Sequence, residues 1–392
     1  MTSRLIARMV PRRTDEEHRA ATPLELFFDL CFVVAVAQAA VGLLHAIADG
    51  HAGAGTLGYA FVFFGIWWAW MNFTWFASAY DCDDVPYRLL TLVQMAGVLV
   101  YAAGVSRAFD GDWTLTVIGY LIMRVALTAQ WLRAARGETD AGARTARRYA
   151  LGLILCQSGW VVLLLVPEGV QRWLFVVLAL AELSVPVIAE RARRTPWHPH
   201  HIAERYGLFT IIVLGETILA ATVAVRSGLD DHHALGPLAS IALGGLLIVF
   251  SAWWIYFSVP AHAHLISTRQ AIPWGYGHYV VFAAAAAIGP GIEVAVEHAT
   301  GEAHVGSLTA NAALTVPTAA YLVTVWLIHT RHHAATVVDR AALPLAALAV
   351  LAATFTGAAA VPLTGVLCAA ATAVVVLAGN RRTEPVAPPT PA

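Results

Sequence analysis

The feature that most constrains this chain is a succession of apolar stretches, each about as long as a bilayer is thick. A helix needs about 20 mostly apolar residues to cross the hydrocarbon core. On that ruler, candidate spans lie at Leu24–His45, Thr56–Ala79, Tyr87–Val105, Trp113–Arg133, Tyr149–Val166 and Val170–Ala189. A second set lies at Tyr206–Val225, Gly236–Val259, Tyr276–Glu297, Leu308–His329, Ala341–Thr356 and Ala358–Gly379. Lipid offers no hydrogen bonds to a bare backbone, so such segments must be helical. The expected fold is therefore all-α: a polytopic integral membrane protein with about twelve transmembrane helices.

Composition agrees. Charged residues make up 12% of the chain, against about 25% in soluble globular domains. A net charge of -1 excludes a strongly basic nucleic-acid surface, so no nucleic-acid partner is expected. All the basic residues counted as Lys+Arg are arginines, which removes lysine Schiff-base chemistry. Cys31, Cys82, Cys156 and Cys368 are scattered without C-x-x-C spacing and suggest neither a disulfide framework nor a zinc site. The opening residues, Met1 to Arg19, are Arg-rich and polar, unlike a cleavable signal peptide.

Arginine placement gives a topology. With the spans above, most arginines fall on one side, and only Arg107, Arg172 and Arg226 fall on the other. The positive-inside rule then puts both termini in the cytoplasm. The halves also echo one another: Trp67-Trp68 in the second span answers Trp253-Trp254 in the eighth. Six spans per half would give both halves the same orientation, a parallel repeat. The expected organisation is a cytoplasmic segment over residues 1–22, a six-helix half over 23–190 and a cytoplasmic linker over 191–205. A second six-helix half follows over 206–380, then a disordered Pro-rich tail over 381–392.

Ionisable groups within these spans carry the functional reading, because each costs about 2.5–3.5 kcal/mol at the bilayer centre. Thr22 and Pro23 form a favourable helix start. Glu25 and Asp29 follow four residues apart on one helix face. Glu216 lies about a dozen residues inside the stretch that begins at His201 and contains Glu204 and Arg205. The candidate substrate- or ion-binding set is Glu25, Asp29, Arg205, Glu216, Asn72, Gln94 and Glu182, with Asp29 and Glu216 expected to share a polar site. Gln130, Gln157, Glu293 and Arg124 are further buried polar candidates; Arg124 needs a carboxylate partner that one sequence does not name. Prolines beside Glu182 (Pro186) and Glu293 (Pro290) are expected to break their helices there.

The histidines raise a metal hypothesis. His329-Thr-Arg-His332-His333 has the H-x-x-H-H spacing of membrane di-iron desaturases, and His198, His200, His201, His262 and His264 cluster on the same side by topology. Only one box is complete, so solvated or headgroup-facing histidines are the favoured reading and no metal or other cofactor is called for.

Two stretches carry a family resemblance. His18-Arg19-Ala-Ala-Thr-Pro23-Leu-Glu25-Leu-Phe-Phe-Asp29-Leu and Glu204-Arg205-Tyr-Gly207-Leu-Phe-Thr210-Ile-Ile-Val-Leu-Gly215-Glu216 resemble the bacterial low temperature requirement protein A (LtrA) family. Cys31 and Thr217 stand where the family pattern would have Val and Ser. The resemblance implies a multi-spanning inner-membrane protein and strengthens Glu25, Asp29, Arg205 and Glu216 as one site, without implying a substrate or a reaction. The functional expectation is a transporter or permease for a small solute or ion, with the carboxylates binding a cation or relaying a proton and His18 and Arg205 at the cytoplasmic mouth. The alternatives are a membrane-embedded enzyme acting on a lipid or isoprenoid, and a structural or sensory protein linked to low-temperature growth. The expected partner is the lipid bilayer, and a homo-oligomer is compatible with the sequence.

Overall fold

A computed structural model describes residues 5–13, 19–80, 82–230, 235–265, 267–332 and 336–383. His18, His333 and most of the Pro-rich tail lie outside the described residues, as does the side chain of His264. The described elements are helical. They run α1 (Pro23–Ala48), α2 (Ala52–Tyr80), α3 (Val85–Phe109), α4 (Thr114–Gly137), α5 (Asp140–Leu163) and α6 (Glu168–Ala189). There follow α7 (Pro199–Asp230), α8 (Leu235–Phe257), α9 (Thr268–Thr300), α10 (Ser307–Ile328), α11 (Val337–Ala353) and α12 (Ala360–Thr383).

Among the described residues, nine segments are long and apolar enough to cross a membrane. They are α1 to α4, α6, most of α8 and α9, α10, and one continuous apolar stretch over Val337–Leu377. α5 opens on Asp140, Arg144, Arg147 and Arg148, and α7 opens on histidines, Glu204 and Arg205, which dilutes both. Large apolar side chains such as Leu151, Leu155, Val177 and Leu180 stand exposed on α5 and α6. That is the surface a helix presents to acyl chains, not to water.

The chain divides into two compact units. The first comprises residues 1–46, 51–213 and 262–275. Here α3 packs on α4, α4 on α5 and α5 on α6. The α3–α4 seam is close because glycines line it: a Cβ at Gly119 would sit 2.6 Å from the Gly97 carbonyl and collide with the backbone amide of Tyr101. Small residues that let backbones approach are a common source of helix attraction in lipid. α3 starts on Asp84, whose carboxylate accepts the Tyr87 amide at 2.9 Å, with Pro86 in the first turn. The Ala7 amide donates to the same carboxylate at 2.8 Å, tying the amino-terminal segment to this helix start.

The second unit comprises residues 47–50, 214–261 and 276–392. In it α8 packs on α12, and α11 on α10 and α12. Thr336 and Asp339 cap α11 reciprocally. The turn to α12 passes through Gly357 at φ +61°, a backbone state that side chains disfavour. Asn311 of α10 donates to the Thr354 and Gly357 carbonyls there, at 3.0 and 3.1 Å.

Two local expectations are corrected. α9 runs without interruption through Gly289-Pro290-Gly291, and α6 runs through Pro186 to Ala189. Gly291 serves packing: a Cβ there would meet the Ala313 carbonyl of α10 at 2.5 Å. The two Trp-Trp pairs also differ in surroundings. Trp67 and Trp68 are buried, whereas Trp253 and Trp254 are about half exposed.

Candidate functional site

Two pairs of residues spaced four apart face each other in the first unit. On α1, Glu25 and Asp29 lie one turn apart; on α7, His201 and Arg205 do the same. All four side chains are 1% exposed or less. Arg205 meets Asp29 edge to edge: Nη2 lies 2.5 Å from Oδ1 and Nε 3.2 Å from Oδ2. Such a two-point contact is what the planar guanidinium fork favours. Trp70 of α2 donates its indole N–H to the same Oδ1 at 2.7 Å. Its ring also stacks on Phe209, with centroids 4.4 Å apart.

Glu25 has two roles, one for each oxygen. Oε2 accepts the Thr22 amide at 2.7 Å while the Thr22 hydroxyl accepts the Glu25 amide, a reciprocal cap on α1. Oε1 is approached by His201 Nε2 at 3.1 Å, Arg205 Nη1 at 3.2 Å and Arg19 Nη2 at 3.7 Å. None of these three approaches is aligned as a hydrogen bond, and the two guanidiniums hold Oε1 by charge. Arg19 is fixed from behind by the Ser78 and Ala77 carbonyls at the end of α2, at 2.7 and 3.0 Å. His201 Nδ1 is buried without a hydrogen-bond partner. With His201 neutral, the cluster holds two carboxylates and two guanidiniums and is charge-balanced, the condition for keeping such groups out of water.

A second charged pair lies in the same unit and supplies the acid that the sequence left open for Arg124. Glu182 stands 3.7 Å from Arg124 and accepts from Trp68 at 2.8 Å, Tyr120 at 3.1 Å and Trp160 at 3.2 Å. Arg124 in turn donates to the Tyr120 hydroxyl.

The other candidates have more local partners. Asn72 donates to the Trp68 carbonyl of its own helix at 2.8 Å. Gln94 donates to Gln130 at 3.0 Å, which donates on to Thr91 at 3.2 Å, closing the α3–α4 seam. Glu216 lies in the second unit, half-buried on α7. Of the histidines, His198 is buried beside His200, which stacks on His262 with centroids 3.8 Å apart. In the second unit His329 packs against Tyr256 and His278, while His332 accepts from Arg331 at 3.1 Å. Among the described residues, no three His, Cys, Asp or Glu side chains group closely enough to hold a metal ion. Trp70, Arg19 and the role of His201 were missed from the sequence. The matching four-residue spacings of Glu25/Asp29 and His201/Arg205 were the one signal that could have found the pairing.

Apolar helices of spanning length around buried ion pairs define a multi-pass membrane protein. Residues 20–378 match the family described as bacterial low temperature requirement A protein (LtrA), and the chain belongs to that family. It is also similar to an uncharacterised protein of Rhizobium meliloti (strain 1021), 31% identical over 254 residues. That match covers 63% of this chain and 60% of the relative, so the chain spans less than two thirds of its relative's length.

Proposed function

We propose that the protein is a transporter or permease of the inner membrane, with both termini cytoplasmic and two parallel six-helix halves, and that the Glu25–Asp29–His201–Arg205 cluster couples transport to proton movement. One observation carries the reading. Every carboxylate oxygen of the cluster already faces nitrogen: Asp29 Oδ1 and Oδ2 and Glu25 Oε2 by hydrogen bonds, and Glu25 Oε1 by the guanidiniums of Arg205 and Arg19 and the imidazole of His201. A metal cation would have to displace an arginine, or the Thr22 amide that caps α1, to find an oxygen ligand. A proton needs no such displacement, and His201 can take one while both arginine pairs stay intact. The added charge would then act on Glu25, the carboxylate whose Oε1 is bound least specifically. Arg205, which touches both carboxylates, would pass that change to Asp29. Glu216 is the further carboxylate of this proposal, in the second unit.

The test is proton flux into pyranine-loaded proteoliposomes under a potassium diffusion potential. Flux above that of protein-free vesicles is expected, and it should be lost in Glu25→Gln and reduced in Glu216→Gln. Flux equal to that of empty vesicles, or unchanged in a folded Glu25→Gln variant, would refute proton coupling.

A further inference from the structure

Away from the α1–α7 cluster, a cavity of about 350 Å³ lies between α4 and α5. That is at the small end of ligand pockets, which run about 300–1,000 Å³. Its walls are mostly apolar, and Val125, Ile154 and Val161 among them are exposed on the outer surface. Two polar side chains, each at least nine-tenths buried, line it without satisfying themselves. Arg124 Nε and Nη1 have no hydrogen-bond partner, and neither does either polar atom of the Gln157 amide. Buried polar groups left unmade cost about 1–3 kcal/mol each, so a protein that keeps several around one cavity invites an occupant that completes them. Arg124 lies about ten residues into α4, roughly 15 Å from the nearer helix end, which is hydrocarbon depth.

We propose that this cavity binds an uncharged, membrane-soluble molecule bearing carbonyl oxygens, entering laterally from the lipid. Charge selects the class. The positive charge of Arg124 is already balanced by Glu182, whose own oxygens are engaged by Trp68, Trp160 and Tyr120. A carboxylate or phosphate in the cavity would leave a surplus negative charge in a low-dielectric wall. A neutral carbonyl accepts from the spare N–H groups of Arg124 and Gln157 without that penalty. The apolar walls take the rest of the molecule.

The test uses a lipophilic alkyl-benzophenone, a neutral ketone that on irradiation inserts into C–H bonds near its carbonyl. The full chain in lipid nanodiscs is irradiated with it and adducts are mapped by peptide mass spectrometry. Adducts concentrated on Leu121, Val125, Leu153, Ile154 and Val161 are expected. They should fall at least five-fold in Gln157→Leu, which removes the amide without stranding a charge, and in Thr128→Phe, which fills the space. Excess decylubiquinone should compete and excess decanoate should not. Adducts spread evenly over lipid-facing residues, or indifferent to both substitutions in monodisperse protein, would overturn the site. Competition by decanoate alone would overturn the uncharged class.

Discussion

Arg205 binds Asp29 through two of its nitrogens, and its third stands 3.2 Å from Glu25, so one guanidinium joins both acids of α1 to α7. The pair is fully buried, and its members are 176 positions apart in sequence. Removing one partner of such a pair strands the other's charge, which typically costs about 3–5 kcal/mol. Arg205→Ala is therefore expected to lose that much stability. Arg205→Lys should recover part of it, because a point charge replaces a fork. Thermal unfolding in detergent measures both; equal losses would show that a point charge without the fork contributes nothing.

Trp70 supplies the neutral donor to Asp29. Trp70→Phe keeps most of the stacking on Phe209 but removes a hydrogen bond to a charged acceptor, worth about 1.5–3 kcal/mol. A destabilisation in that range is expected, and it should shrink markedly when Asp29 is already Asn. The double-mutant cycle reads the coupling directly; strict additivity would mean the indole acts by packing alone.

The α3–α4 seam predicts an asymmetry between glycines. Gly119→Ala places a methyl against backbone that cannot swing aside, and a loss of about 1–3 kcal/mol is expected. Gly169→Ala, at a site with no neighbouring atom within 4 Å, should be neutral or slightly stabilising. Relative melting temperatures of the two variants decide it.

Asp84 gives a pH dependence outside the membrane spans. Burial opposes its ionisation, but the amides of Ala7 and Tyr87 and the guanidinium of Arg133 outweigh this and hold its carboxyl below the usual carboxylate range. A lowered folded-state value means that Asp84 contributes stability above its unfolded pKa, about 4. That contribution is lost as pH falls through the folded value. The stability gap between the native protein and Asp84→Asn should be full at neutral pH and close under acid. A gap constant down to pH 3 would contradict the assignment.

Much of this fold can be read from residue order, because lipid leaves helix as nearly the only choice for a long apolar run. The capped start of α1 and the shared face of Glu25 and Asp29 follow from local spacing. The pairings do not. Periodicity says that Arg205 and His201 share a face, but not that this face meets α1, and it leaves Arg124 to find Glu182 among several acids. Pro290 misled for a related reason. Its flanking glycines look like a break in one dimension, whereas Gly291 exists to admit the backbone of α10. Trp70 reads as an interface anchor in an aromatic-rich helix until its indole N–H is seen on Asp29.

The most direct measurement compares folding and flux in the double variant Asp29→Asn/Arg205→Gln. Neutralising both partners leaves no stranded charge, so the protein should remain monodisperse and melt closer to the native protein than either single variant does. Potential-driven proton flux in proteoliposomes should nonetheless be abolished. A folded double variant carrying protons at the native rate would show that the buried pair is only a structural clasp.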